Sequence, residues 1–189
     1  TGVQSAGVKM IPIRTPVGEF KVWTKRFGNN PRIKILLLHG GPASTHEYME
    51  CFESFFPKEG FEFYEYDQLG SYYSDQPKDS SLWTTKRFVE EVEQVRKAIG
   101  ADSNNFYVLV ANMVASCPEY GKYADEVLAK QMDVKVLAEI KSIEAKGDFA
   151  NPRYMELLLP NFYKEHLCRL KEWPDGFNRS MKHSNGEIY

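Results

Sequence analysis

Polar and apolar residues alternate at the start of the chain. Val8 and Met10 flank Lys9, and after Thr15-Pro16-Val17-Gly18 the residues Phe20 and Val22 alternate with Glu19 and Lys21. A period of two puts such residues on opposite faces of a strand, which predicts an antiparallel hairpin turning near Gly18. Pro12 has no N–H to give a ladder, so it marks the first strand as an edge or as ending there. After the turn Gly28-Asn29-Asn30-Pro31 the pattern changes. The strand Ile33 to Leu38 closes on four apolar residues in a row, Ile35 to Leu38, the signature of a strand buried on both faces of a parallel sheet.

Helical and strand periods then take turns. Thr45 is placed to cap a helix whose apolar face is Tyr48, Phe52, Phe55 and Phe56, ending at Gly60. Phe61, Phe63, Tyr64 and Tyr66 make the next strand. A long helix spans about Thr84 to Ile99, with Phe88, Val92, Val95 and Ile99 on one side and Gly100 at its end. Phe106 to Ala111 is a third strand of the buried type. Hairpin, strand, helix, strand, helix, strand argues for an α/β sheet.

Past Cys117-Pro118 the patterns are helical only. Tyr120, Tyr123, Ala124, Val127 and Leu128 form one apolar stripe, and Val136, Leu137, Ile140 and Ile143 another. Asn151 and Pro152 open a further helix as cap and first residue, and Pro160 is expected to kink or break it. Its continuation carries Phe162, Tyr163, His166, Leu167 and Leu170. From Pro174 on, Asp, Gly, Asn, Ser and His predict loop. The expected organisation is an α/β core portion, residues 1–116, and a helical portion, residues 117–189.

The totals exclude several classes. At 189 residues there is room for one full core or one core with a small appendage. A net charge of -2 gives no electrostatic case for nucleic acid or an anionic membrane. No apolar run approaches a bilayer span, and no signal-peptide pattern opens the chain. Cys51, Cys117 and Cys168 are odd in number and widely spaced, which argues against a disulfide framework and for a reducing, cytoplasmic setting. Lys122, Lys130, Lys135, Lys141 and Lys146 are interspersed with acids, as on a solvated helical face.

The chemistry concentrates where the central strand ends, at His39-Gly40-Gly41-Pro42. Ligands of open α/β sheets bind beyond the carboxyl ends of strands, and a Gly-Gly turn there can aim N–H groups at a developing oxyanion. This loop resembles the His-Gly-Gly-Pro-Gly loop of the proline iminopeptidases, serine aminopeptidases of the α/β-hydrolase fold. Tyr66 to Pro77 resembles the family's loop after the next strand. Asn151-Pro152-Arg153-Tyr154, Phe162 to Leu167 and Trp173-Pro174 resemble its helical cap. The resemblance implies a truncated α/β-hydrolase sheet followed by a cap, short peptides with N-terminal proline or a small residue as substrates, and no cofactor or metal.

The family's nucleophile sits in a Gly-x-Ser-x-Gly turn, and no such sequence occurs in this chain. By the resemblance, the strand matching Phe106 to Leu109 runs directly into the match to Ala111-Asn112-Met113-Val114-Ala115-Ser116-Cys117-Pro118. A turn, a helix and most of a strand, roughly two dozen residues, are skipped. The family's aspartate and histidine lie beyond the match to Gly186-Glu187-Ile188-Tyr189. Of the family's site only the oxyanion loop carries over: Gly40, Gly41 and Pro42, with Ala43 in place of its last glycine.

Ser44, Ser71 and Ser116 remain as other nucleophiles to weigh, with His39, His46, His166 and His183 as bases. Turn, cap and surface roles are the expectation for them, because a serine needs both a base within reach and a group orienting that base. His39 is expected to serve its loop structurally. His46-Glu47-Tyr48-Met49-Glu50 begins like a zinc-binding helix, but Glu50 stands where the second histidine belongs. Cys117 is expected to be a small buried residue. Phe106 to Met113 is expected to form one continuous strand across the join. Stripped of the family's further strands, it is an edge through which the chain could pair with itself.

Overall fold

The computed structural model describes residues 7–41, 43–110, 117–149 and 151–185. The N-terminal hairpin is present as β1 (Val8–Thr15) and β2 (Gly18–Phe27), antiparallel, with Thr15 opposite Gly18. Its ladder continues through Pro12, which faces Lys21, so the proline marks an edge and not an end. β3 (Lys34–Leu38), β4 (Glu62–Tyr66) and β5 (Phe106–Val110) complete a five-stranded mixed sheet of order β1-β2-β4-β3-β5. β2 pairs antiparallel with β4, while β4 and β5 flank β3 in parallel, Leu36 standing opposite Tyr64 on one side and Val108 on the other. The residues expected to continue β5, Ala111 to Met113, lie outside the described residues.

Each face of the sheet has its own core, as the alternation of side chains requires. Ile11, Ile13, Val22, Leu36, Tyr64 and Tyr66 pack with Leu69, Leu82 and Val95. On the opposite face Ile35, Leu37 and Phe63 pack with Met49, and Phe27 stacks on Phe63 at 4.6 Å between ring centres. Val95 comes from α1 (Thr85–Ala98), which begins and ends as its sequence predicts. The Thr84 hydroxyl accepts the Arg87 N–H, and Gly100 takes the left-handed φ of 66°. The buried side of α1 also carries an ion pair invisible to hydropathy, Arg87 with Glu91, one turn apart.

The segment after β3 departs from expectation. His46–Ser54 is a 3-10 helix, and the Thr45 side chain makes no cap bond; its hydroxyl donates to Glu47 Oε2 at 2.9 Å. Phe52, and Phe56 just past the helix, pack on the sheet, while the C-cap residue Phe55 is 63% exposed.

Chain contacts divide the molecule into two compact units, Thr1–Met113 with Pro174–Tyr189, and Val114–Trp173. The second unit is helical: α2 (Cys117–Tyr123), a π-helical turn Ala124–Leu128, α3 (Val134–Glu144) and α4 (Pro152–Leu158). Ile140, Ile143, Leu157 and Leu158 are its core. Asn151 caps α4 by accepting the Arg153 N–H at 3.0 Å. Pro160 does not end the helix. The chain widens into a π-helical turn, Leu159–Tyr163, that absorbs the missing N–H, and then runs into α5 (Lys164–His166). The stripe at 120–128 is not core: Tyr120, Tyr123 and Val127 are exposed. The five lysines singled out are exposed.

The tail is the largest correction. Where composition predicted loop, Asp175–His183 is an α-helix, α6, and it belongs with the sheet unit, not with the helical portion. Its polar residues misled because the helix is held by charge pairs, not by an apolar stripe.

Candidate functional site

The site is built at the carboxyl ends of β3 and β4, where two loops leave the sheet. His39, at the end of β3, is 3% exposed. Its Nε2 accepts the Gln68 N–H at 3.1 Å, which puts the ring proton on Nδ1, 3.2 Å from the Gly40 carbonyl. Burial lowers its pKa, and the neutral ring ties the β3 loop to the β4 loop. This is the structural role expected of it.

The glycine turn is closely held. The Gly40 N–H donates to the Tyr48 hydroxyl at 2.5 Å, and the Ser44 N–H closes back on the Gly41 carbonyl at 3.0 Å. Gly41 has φ 55° and Ala43 has φ 81°, with Ala43 fully buried. Ala43 thus occupies backbone space in which a Cβ is strained. Pro42 lies outside the described residues.

α6 closes over these loops. The Ser180 hydroxyl lies 3.1 Å from that of Ser44, and beyond the helix Asn185 reaches both loops, its N–H to the Ala43 carbonyl and its Nδ2 to the Gly70 carbonyl. The anchor is Glu47, 1% exposed. Oε1 accepts from Tyr73 and from Arg179 Nη1 at 2.6 Å, while Oε2 takes Thr45 and His183 Nδ1 at 2.7 Å. Burial alone would raise the Glu47 pKa; the bonds from His183, Thr45, Tyr73 and Arg179 outweigh it and lower the value. Arg179 also pairs with Glu50 and Asp175. Glu50, which broke the zinc pattern, is therefore part of a helix clamp.

His46 turns inward to Asp67, whose Oδ1 accepts both its N–H and its Nδ1 at 2.7 and 2.8 Å, and its ring stacks on Trp23. Burial works against its charged form, but the Asp67 carboxylate prevails and raises its pKa. Glu65 is the exception among these buried carboxylates. It is fully buried with neither oxygen hydrogen-bonded among the described residues, Lys25 standing 4.0 Å away, and burial pushes its pKa up to about 7.

Of the serines and histidines singled out, the structure brings together Ser71 and His39, with Oγ 3.3 Å from Nε2. That is not a nucleophile and base. Ser71 is fully buried, and the other imidazole nitrogen faces a carbonyl where a relay needs a carboxylate. Ser44 faces Ser180, His183 faces Glu47 and Tyr72, and His166 lies in the helical unit against Phe162. Ser116 and the Cys117 side chain fall outside the described residues. Among those described, no group of three or more His, Cys, Asp or Glu is arranged to hold a metal. Sequence reasoning missed Glu47, Asp67 and Arg179, whose importance depends on partners far along the chain.

Residues 34–108 match the model of the alpha/beta hydrolase fold family. The proline iminopeptidase of Flavobacterium johnsoniae is 72% identical over 204 residues, covering 95% of this chain and 69% of its own length. That of Elizabethkingia meningoseptica is 66% identical, covering 95% and 68%. The aligned stretch of 204 positions is longer than the 189-residue chain, so positions of the relative within it have no counterpart here. The crystal structure of VinJ superposes with a TM-score of 0.80 at 21% identity, covering 93% of this chain and 67% of its own. That of a proline iminopeptidase from Mycobacterium smegmatis gives 0.73 at 23%, covering 93% and 66%. The structures share the fold, and the sequences carry the kinship: this chain belongs to the proline iminopeptidase family, built on the α/β-hydrolase fold.

Proposed function

We propose that the chain carries the oxyanion-loop part of a serine aminopeptidase that, when complete, releases N-terminal proline or another small residue from short peptides, and that the chain alone is inactive. The observation that carries this reading is the Gly40-Gly41 turn that follows the carboxyl end of β3, in a chain 72% identical to a proline iminopeptidase. In the working enzyme the loop's N–H groups would face the tetrahedral intermediate, the Gly40 N–H exchanging the Tyr48 hydroxyl for the oxyanion. The nucleophile is what this sequence lacks: it contains no Gly-x-Ser-x-Gly turn. No helix among the described residues is long and apolar enough to cross a membrane, and we place the protein in the cytoplasm with no cofactor.

The test is hydrolysis of a proline arylamide by the purified chain, beside a version into which the Flavobacterium segments without counterpart are restored. No turnover is expected from the first and phosphonate-sensitive turnover from the second. Phosphonate-sensitive turnover by the chain alone overturns the inactivity; a folded, restored chain without turnover overturns the aminopeptidase reading. The β5 edge, which among the described residues has no strand beyond it, favours a second reading, a non-catalytic hydrolase-derived scaffold that self-associates through Phe106 to Val110.

A further inference from the structure

The sheet has two edges of opposite character. β1 carries Lys9, Pro12 and Arg14, two charges and a missing N–H that discourage strand addition. β5 reads Phe-Tyr-Val-Leu-Val without a charge, a proline or a glycine, and exposes Tyr107 at 54%, Val108 at 42% and Val110 at 39%. Among the described residues its one strand neighbour is β3.

The backbone of β5 fixes how a further strand could join. The Lys34 N–H donates to the Asn105 carbonyl at 2.8 Å, so residue 105 faces β3. Alternation then turns Phe106, Val108 and Val110 away from β3. The Phe106 N–H is already spent on the Asp102 carbonyl at 3.0 Å. Among the described residues, the outward face is left with the Phe106 carbonyl and both groups of Val108 and of Val110.

We propose that β5 pairs with β5 of a second copy of this chain, antiparallel, about a two-fold axis at Val108. This deepens the second reading above and rests on it. A two-fold axis brings each residue near its own kind, which penalises a charged edge and spares an uncharged one. Centred on Val108, the register uses all five residues of the strand. Val108 faces Val108 as a pair exchanging both hydrogen bonds, Phe106 faces Val110, and Tyr107 faces Leu109. Each cross-strand pair is apolar, and the spent Phe106 N–H costs one ladder bond at each end. Pairing five residues buries on the order of a few hundred Å² per partner, below the roughly 800 Å² of a standard stable interface. The dimer therefore forms at micromolar concentrations and dissociates on dilution.

Sedimentation equilibrium across that range tests it, with Val108→Lys against Met10→Lys on the opposite edge. Val108→Lys, which sets two lysines face to face, is expected to weaken association about tenfold or more, and Met10→Lys to leave it unchanged. Val110→Lys serves if Val108→Lys fails to fold by circular dichroism. Amide exchange of the unaltered chain adds a readout free of substitution: Val108 N–H protection should rise with protein concentration. Association that survives both lysines, or Val108 exchange independent of concentration in an associating chain, overturns the β5 pairing and leaves self-association standing. A chain monomeric throughout overturns both.

Discussion

β4 and β5 flank the same strand in the same parallel sense, yet their environments are opposite. β4 reads Glu-Phe-Tyr-Glu-Tyr and is buried at all five positions; β5 is wholly apolar and fully buried at none. Hydropathy predicts the reverse order. Burial is decided by what covers a strand, and β4 lies between β2 and β3 under both α1 and the 3-10 helix. Its glutamates tolerate this unequally. Glu62 is satisfied by Arg26, the Asn30 N–H and the Tyr64 hydroxyl, whereas Glu65 has no hydrogen-bond partner among the described residues.

The sharpest way to break the contrast is to truncate an aromatic on each strand. Phe63→Ala on β4 removes a fully buried ring packed on Phe27 and Phe56 and is expected to cost about 3–5 kcal/mol. Tyr107→Ala on β5, in a monomeric sample, should cost under about 1 kcal/mol, because the ring is already half in water. Urea unfolding of the two variants measures both; equal losses would mean that β5 is as well covered as β4.

Glu65 gives the next largest effect, through pH. Its pKa in the fold is raised to about 7 from an ordinary 4.5, so the folded state holds the proton more tightly than the unfolded chain. Its contribution to stability is complete below the ordinary value and is lost as pH rises through about 7. By pH 8 the loss is on the order of 2–3 kcal/mol. Glu65→Met should therefore gain on the unaltered chain by that amount between pH 5 and pH 8. A difference flat with pH would show that the Glu65 carboxylate finds a partner when ionised.

The smallest effect lies at the end of β3, the strand both regions share. Ala43→Gly relieves a left-handed, fully buried residue and is expected to stabilise the fold by about 0.5–1 kcal/mol, net of the extra freedom of an unfolded glycine. A rise in thermal midpoint checks it; a fall would mean that the alanine methyl contributes more in packing than its backbone costs.

The hairpin, the three parallel-type strands and the α1 caps were legible because each is a local pattern: alternation in β1 and β2, apolar runs in β3 and β5, Thr84 and Gly100 around an amphipathic helix. The His-Gly-Gly loop was legible for the same reason, and so was its kinship. α6 was not, because its nine residues hold few apolar side chains and its docking depends on Arg179 and His183 meeting Glu47, over a hundred positions earlier. The three-residue period of His46–Ser54 was equally hidden, since Phe52, Phe55 and Phe56 fit an α-helical face as well.

The sequence by itself determined which segments extend, which coil, where the glycine turn falls and that no nucleophile elbow is present, since backbone preference and side-chain period act over a few residues. The tertiary structure alone decided that Glu47 clamps α6, that His39 is a neutral tie and not a base, that Glu65 is buried without a hydrogen bond among the described residues, and that β4 is fully covered while β5 is covered only in part. Those outcomes depend on charges, hydrogen bonds and covering surfaces supplied from distant parts of the chain, and no local pattern encodes which distant residue arrives.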